Sequence, residues 1–132
     1  MQKKFHRSYD SLEYIFKFAE RIFTDRNVET SVRFPVHFVM EELFTNMVKY
    51  NPENSNDILL DVDAEGSDVT ISLTDYDVDK FDVSVVPDID VKAPLEERTA
   101  GGLGLHLIHK MVDSLNYNYT DRQSTVTFTK GP

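Results

Sequence analysis

Cysteine and tryptophan are absent from this chain of 132 residues. Without cysteine the chain has no disulfides and no thiolate metal sites, which fits a cytoplasmic protein. Long apolar runs are missing too, and a transmembrane helix, which needs about 20 consecutive apolar residues, is not expected. The basic N-terminal residues have no apolar segment behind them, so a secretory signal is not expected either.

Positive charge is also scarce. Lysine and arginine number 14 against 23 acidic residues, and the formal net charge is −9. An acidic surface repels nucleic-acid phosphates, so direct binding of nucleic acid is not expected. The charge suits a basic protein partner or a ligand carried with a divalent cation, and it is equally consistent with plain solubility. The length predicts a single domain over residues 1–132.

The hydrophobic pattern predicts the order strand, helix, helix, strand, strand, long loop, helix, strand, strand. Lys3–Ser8 is predicted as a short edge strand. Asp10 or Ser11 then caps the first helix, with Glu13 in the capping-box position relative to Asp10. The other strands are predicted at 58–64, 69–74, 116–120 and 124–130.

The second and third helices carry clear apolar stripes. Residues 26–34 are predicted as a connection, and Pro35 suits the first turn of a second helix that runs to about Tyr50. The third helix is predicted over 105–115. The core-facing residues are Val36, Val39, Met40, Leu43 and Met47 in the second helix and Leu105, Ile108, Val112 and Leu115 in the third.

Strands that follow one another closely favour antiparallel pairing. The predicted fold is therefore an α+β two-layer sandwich, in which a mixed, mainly antiparallel sheet carries helices packed on one face.

A glycine-rich turn opens the third helix. The sequence reads Gly101-Gly102-Leu103-Gly104. The N-terminus of a helix offers unpaired N–H groups and a positive dipole end, and glycine lets the backbone approach a ligand closely. The turn is therefore a candidate phosphate site, although a tight turn alone would give the same pattern.

Three polar residues lie on one stripe of the second helix: Glu42, Asn46 and Lys49. The amide oxygen of Asn46 can coordinate Mg²⁺, which prefers oxygen ligands. Glu42 can orient or deprotonate a nucleophile beside that metal. The alternative, favoured from the helix alone, is a solvated polar face with weak side-chain pairs.

A candidate ligand-binding carboxylate, Asp75, ends the strand predicted at 69–74. It can accept a hydrogen bond from a ligand amine, such as the exocyclic amine of adenine, or it can simply form a turn. The irregular segment 76–100 that follows is long for a compact domain, and such segments are usually functional lids or disordered.

The order of these signals resembles one family. It runs Glu-x-x-x-Asn on a helix, a strand-end Asp, a long loop and Arg-x-x-Gly-Gly-x-Gly opening a helix, and it is similar to the GHKL-type ATP-binding fold of histidine kinases. Within that superfamily, the small size resembles the anti-sigma factor serine kinases. Residues 41–46 resemble their N box, and residues 95–108 resemble their second glycine box.

This resemblance implies a site for ATP and Mg²⁺. Asn46 would bind Mg²⁺, Glu42 would be the catalytic base and Asp75 would contact adenine. The phosphates would lie under a lid at about 76–100, with Arg98 at its hinge. The other residues expected to bind the nucleotide are Lys49, Gly101, Gly102, Leu103 and Gly104.

The resemblance also implies partners. Such a protein sequesters a sigma factor and uses ATP to phosphorylate a serine on a STAS-type anti-anti-sigma factor, which adds negative charge at the interface and switches binding. Family members are commonly dimeric, so a homodimer is implied as well. No membrane partner is expected.

One departure from the family pattern leaves a second hypothesis open. After the strand-end aspartate the family has a glycine where this chain has Asp77, and one extra residue precedes Phe81. A carboxylate there adds bulk and like charge near phosphate, unless Mg²⁺ offsets it or the side chain points outward. The alternative function is a non-catalytic protein-binding module with a degenerate nucleotide pocket. An ATPase of the same superfamily is a third reading, disfavoured because it needs additional domains.

Overall fold

A computed structural model describes residues 1–51, 53–80 and 102–132, with the backbone alone for 102–106. The described elements follow the predicted order. They are β1 (Gln2–Phe5), α1 (Leu12–Asp25), α2 (Thr30–Tyr50), β2 (Ile58–Glu65), β3 (Asp68–Tyr76), α3 (Gly102–Met111), β4 (Ser114–Thr120) and β5 (Gln123–Lys130).

The five strands form one sheet in the order β1-β2-β3-β5-β4. Each of its four pairings is antiparallel, so the mixed sheet predicted from the sequence is corrected to an antiparallel one within the described strands. The β4–β5 hairpin places β5, the last strand in the chain, beside β3. As a result Asp75 at the end of β3 lies opposite Ser124 on β5.

Helices α1 and α2 cover one face of the sheet and bury the core. Along β3 the apolar residues Val69, Ile71 and Leu73 are buried, as their alternation with polar residues predicted. The predicted core face of α2 is buried along its whole length. These observations confirm the α+β sandwich with helices on one face.

Ser11 lies at the N-cap position of the first helix, one of the two positions predicted, but its side chain does not cap that helix. Ser8 accepts a hydrogen bond from the backbone N–H of Asp10 at 3.2 Å and opens a short 3-10 turn, Tyr9–Ser11, ahead of α1. The hydroxyl of Ser11 instead donates to the carbonyl of His6 at 2.7 Å and makes no capping bond to the helix. The short 3-10 turn before α1 was not predicted from the local capping signals.

Helix α2 begins at Thr30, so the predicted connection at 26–34 is too long and Pro35 lies in the second turn. Packing overrides the weak helix propensity of this segment, because Val32 is almost fully buried. Arg33 adds hydrogen bonds to the carbonyls of Val28 at 2.9 Å and Phe23 at 3.3 Å. These contacts anchor the first turn against α1.

The third helix is displaced from its predicted range of 105–115. It begins at Gly102 and ends at Met111, so Val112 and Leu115 lie beyond it, with Leu115 on β4. The backbone N–H of Asp113 donates to the carbonyl of Thr129 at 2.8 Å, which starts the pairing with β5. This pairing ends the helix earlier than its apolar periodicity suggests.

Three expectations are left as predictions. The lid at 76–100 falls outside the described residues from position 81 onward, and the domain boundaries 1–132 are untested. Within the described ranges, none of the helices combines the length and apolarity needed to cross a membrane. The cytoplasmic location likewise stays a prediction.

Two phenylalanines of α2 provide a test of the packing. Phe44 is fully buried, whereas Phe34 is 72% exposed. We expect Phe44→Ala to lower the free energy of unfolding by about 3–5 kcal/mol, because it removes apolar contacts and leaves a cavity. Phe34→Ala, the matched control, should change it by less than about 0.5 kcal/mol. Urea denaturation of both variants measures the difference, and equal losses would contradict the packing described.

Candidate functional site

A recess opens where α2, the end of β3 and β5 meet. It is bounded by apolar side chains on two sides and by polar groups from the ends of α2 and β3. Its lining consists of Leu43, Asn46, Met47, Tyr50, Asn51, Asp75, Val78, Asp79, Ser124 and Val126. A mostly apolar recess with a few convergent polar groups is the usual form of a small-molecule site.

Asn46 enters this recess from α2. Its side chain is buried, and its Nδ2 atom has no hydrogen-bond partner among the described residues. A buried N–H donor without a partner is costly, so Nδ2 is suited to donate a hydrogen bond to an acceptor on a ligand or to water. Asn46 is therefore not part of a solvated face, whereas Lys49 of the same stripe is exposed.

Glu42 lies one helical turn before Asn46 and is half-buried. Burial raises the pKa of the Glu42 carboxyl, and the nearby charge of Glu41 raises it further. A carboxylate with a raised pKa is a better proton acceptor near neutral pH. The environment of Glu42 therefore suits a general base, but its side chain does not line the recess.

Asp75 forms the polar floor of the recess and is almost completely buried. Its carboxylate accepts two hydrogen bonds from the guanidinium of Arg7, which is also buried. Asn51 donates to the same carboxylate at 3.5 Å. Burial raises the pKa of Asp75, and the hydrogen bonds and charge of Arg7 oppose that rise.

Asp77, directly after β3, has a φ of +57°. This is the left-handed conformation that glycine adopts freely and that aspartate tolerates better than most residues. The Asp77 side chain points outward, with 71% exposed, and accepts a 2.8 Å hydrogen bond from Arg122. The carboxylate therefore does not line the recess.

Arg122 forms hydrogen bonds with the segment that follows β3. Besides Asp77, it donates to Asp79 at 2.9 Å, and its carbonyl accepts from the backbone N–H of Val78 at 2.9 Å. Tyr119 donates to the carbonyl of Val78 at 2.8 Å. The β4–β5 hairpin thus fixes the backbone at the mouth of the recess and compensates the acidic charge there.

None of the other predicted site residues is found among the described side chains that line the recess. Lys49 is exposed and lies at a separate depression with Arg7, Tyr9 and Val48, so it is not brought into the recess. Arg98 and Gly101 lie outside the described residues. Leu103, Gly102 and Gly104 occupy the first turn of α3, which packs against α2.

Arg7 is the main site residue that the sequence did not predict. It follows a short edge strand, and nothing in the local pattern marks it as buried. Tyr50 and Asn51 were not predicted as site residues either. Ser124 was predicted only as the start of a strand.

The donor set fits a magnesium ion held largely by a ligand. Among the described residues, no group of three or more His, Cys, Asp or Glu side chains is arranged to hold a metal. Mg²⁺ typically binds through one or two protein oxygens together with phosphate oxygens and water. Asn46, as a single buried amide, matches that requirement.

One comparison with known proteins gives a match. The sequence model of a family described as "Histidine kinase-like ATPase domain" matches residues 5–130. No curated protein matches the chain. The matched range extends from the end of β1 to the end of β5 and contains every lining residue of the recess.

The backbone at position 77 can be tested by a pair of variants. Asp77→Gly and Asp77→Ala both remove the carboxylate, but only alanine retains a Cβ in the left-handed region. We expect Asp77→Gly to be more stable than Asp77→Ala by about 1 kcal/mol. Urea denaturation measures the difference.

The control is the same pair of substitutions, glycine and alanine, at Asp79, which lacks a positive φ. There the glycine variant should be no more stable than the alanine variant, because glycine loses more chain entropy on folding. If the two positions behaved alike, the left-handed turn at Asp77 would be wrong.

Proposed function

Because the chain belongs to the histidine kinase-like ATPase domain family, we propose that it binds Mg-ATP in the recess and acts as an anti-sigma-type serine/threonine protein kinase. The family implies ATP binding and an ATP-hydrolysing or kinase-type activity. The observation that carries the finer proposal is the juxtaposition on α2 of the half-buried Glu42 and the buried Asn46, whose Nδ2 has no hydrogen-bond partner among the described residues.

Three described groups contact the nucleotide or its metal in this proposal. Asp75 accepts a hydrogen bond from the amine of adenine at the floor of the recess. Asn46 holds Mg²⁺, which when bound neutralises phosphate charge and orients the phosphates. The N-terminus of α3, opened by Gly102, offers backbone N–H groups to the phosphates.

Glu42 is the proposed base. The hydroxyl oxygen of the partner's serine attacks the γ-phosphorus of ATP while its proton passes to the Glu42 carboxylate. The bond from the γ-phosphorus to the bridging oxygen breaks, and ADP leaves with that oxygen. Phosphoryl transfer depends mainly on positioning and electrostatics, which the fixed helix α2 supplies.

The proposed partners follow from the resemblance to anti-sigma factor kinases. The serine belongs to a STAS-type anti-anti-sigma factor, and a sigma factor is the protein that this chain sequesters. A homodimer, and the absence of nucleic-acid and membrane partners, remain predictions. The net charge of −9 supports a protein partner with a basic surface.

A non-catalytic binding module of the same fold is the second candidate. It was favoured by the carboxylate at position 77, where bulk and negative charge were expected to close the nucleotide site. The outward side chain of Asp77 and its contact with Arg122 weaken that objection. The kinase proposal is therefore the better supported of the two.

Titration calorimetry with ATP and ADP, with and without Mg²⁺, tests the nucleotide site. We expect binding that magnesium strengthens, and we expect Asn46→Ala to lose that magnesium dependence. Asn118→Ala, which changes an exposed amide on β4, is the control and should behave as wild type. A wild-type protein that binds no nucleotide at millimolar concentration would contradict the proposal.

Catalysis needs its own test, with a STAS-type protein of the same organism as acceptor. We expect Glu42→Gln to bind Mg-ATP within about threefold of wild type but to transfer phosphate at least about 100-fold more slowly. Glu41→Gln, at the exposed neighbouring position, should keep most of the transfer rate. ATP binding without transfer by the wild type would favour the non-catalytic module.

A further inference from the structure

The two residues of the buried pair Arg7 and Asp75 line different depressions of the surface. Asp75 lines the recess, whereas Arg7 lines a separate depression formed with Tyr9, Val48 and Lys49. Each side chain is only 2% exposed. Arg7 therefore approaches the carboxylate from behind, on the side away from a ligand in the recess.

Main-chain contacts hold Arg7 in place. Its Nη1 donates to the carbonyl of Met47 on α2 at 2.9 Å, and its Nε donates to the carbonyl of Asn56, just before β2, at 3.3 Å. Both terminal nitrogens donate to the carboxylate of Asp75. A planar guanidinium fixed in this way also fixes the plane of the carboxylate that it contacts.

The pair also controls which form of Asp75 faces the recess. An ionised carboxylate only accepts hydrogen bonds, whereas a protonated one also donates. Burial raises the pKa of Asp75 and so favours the protonated form, and the contacts of Arg7 act against burial. Arg7 thus supports the acceptor-only form.

Resting on the proposed nucleotide site, we infer that Arg7 is a positioning residue that sets base specificity. By holding Asp75 as an oriented, acceptor-only group, Arg7 makes the floor of the recess select a purine with an amine at position 6. A purine with a carbonyl there would place its lone pairs against the carboxylate, so ATP is preferred over ITP.

The test compares the affinities of Mg-ATP and Mg-ITP by titration calorimetry. Wild type should prefer ATP by about 10- to 100-fold, the range expected for one hydrogen bond to a charged group. Arg7→Gln should reduce that ratio to about threefold or less. Loss of affinity for both nucleotides with an unchanged ratio would show a merely structural role and would overturn the inference.

Arg33→Gln is the matched control. Arg33 also pairs with a carboxylate, at 2.5 Å from Glu20, but it lies at the contact of α1 and α2 and does not line the recess. This variant should keep the wild-type ratio. A ratio that falls equally in both variants would assign the loss to general destabilisation and overturn the inference.

A second variant at Arg7 and the nucleotide preference of the wild type give two further tests. If Arg7→Gln does not fold, Arg7→Lys replaces it. Lysine keeps the charge but not the paired donors, so the ratio should fall at least about threefold, and an unchanged ratio overturns the inference. A wild type that binds both nucleotides equally overturns this inference alone, whereas a wild type that binds neither overturns the proposed function as well.

Discussion

The contact between α2 and the sheet positions the part of the candidate site that α2 contributes. Leu43 and Met47 are buried against the sheet, and Asn46 lies between them in the same helix. All three line the recess. Because side chains in a helix have fixed relative directions, the packing that buries the two apolar residues also determines where Asn46 lies. The position of Asn46 in the site therefore follows from the packing of the hydrophobic core.

Two arginines organise the acidic groups around this recess in different ways. Arg7 pairs with Asp75 in the interior, where an unpaired carboxylate would be strongly destabilising. Arg122 pairs with Asp77 at the surface, where the energetic gain of an ion pair is small but the backbone is held by further hydrogen bonds. Because acidic residues outnumber basic ones in this chain, each of these two contacts matters for the orientation of a carboxylate: Asp75 lines the recess and Asp77 points outward.

The sequence predicted the element order and the layer arrangement because apolar periodicity is a strong signal. It failed where long-range contacts override local preference: α2 begins early because Val32 is buried, and α3 ends early because Asp113 joins the β5 ladder. Asn46 and Asp75 were predicted as site residues because the order of the motifs resembles a known family. Arg7 was not, because a contact across 68 positions leaves no local pattern.

The central claim is that the recess between α2, β3 and β5 binds ATP. Two-dimensional NMR of the labelled protein during titration with Mg-ATP tests it most directly. The account predicts the largest shifts at the amides of Asn46, Asp75, Val78 and Ser124, with little change at the α1 surface around Arg21. Shifts that cluster on α1 and leave the recess unchanged would contradict it.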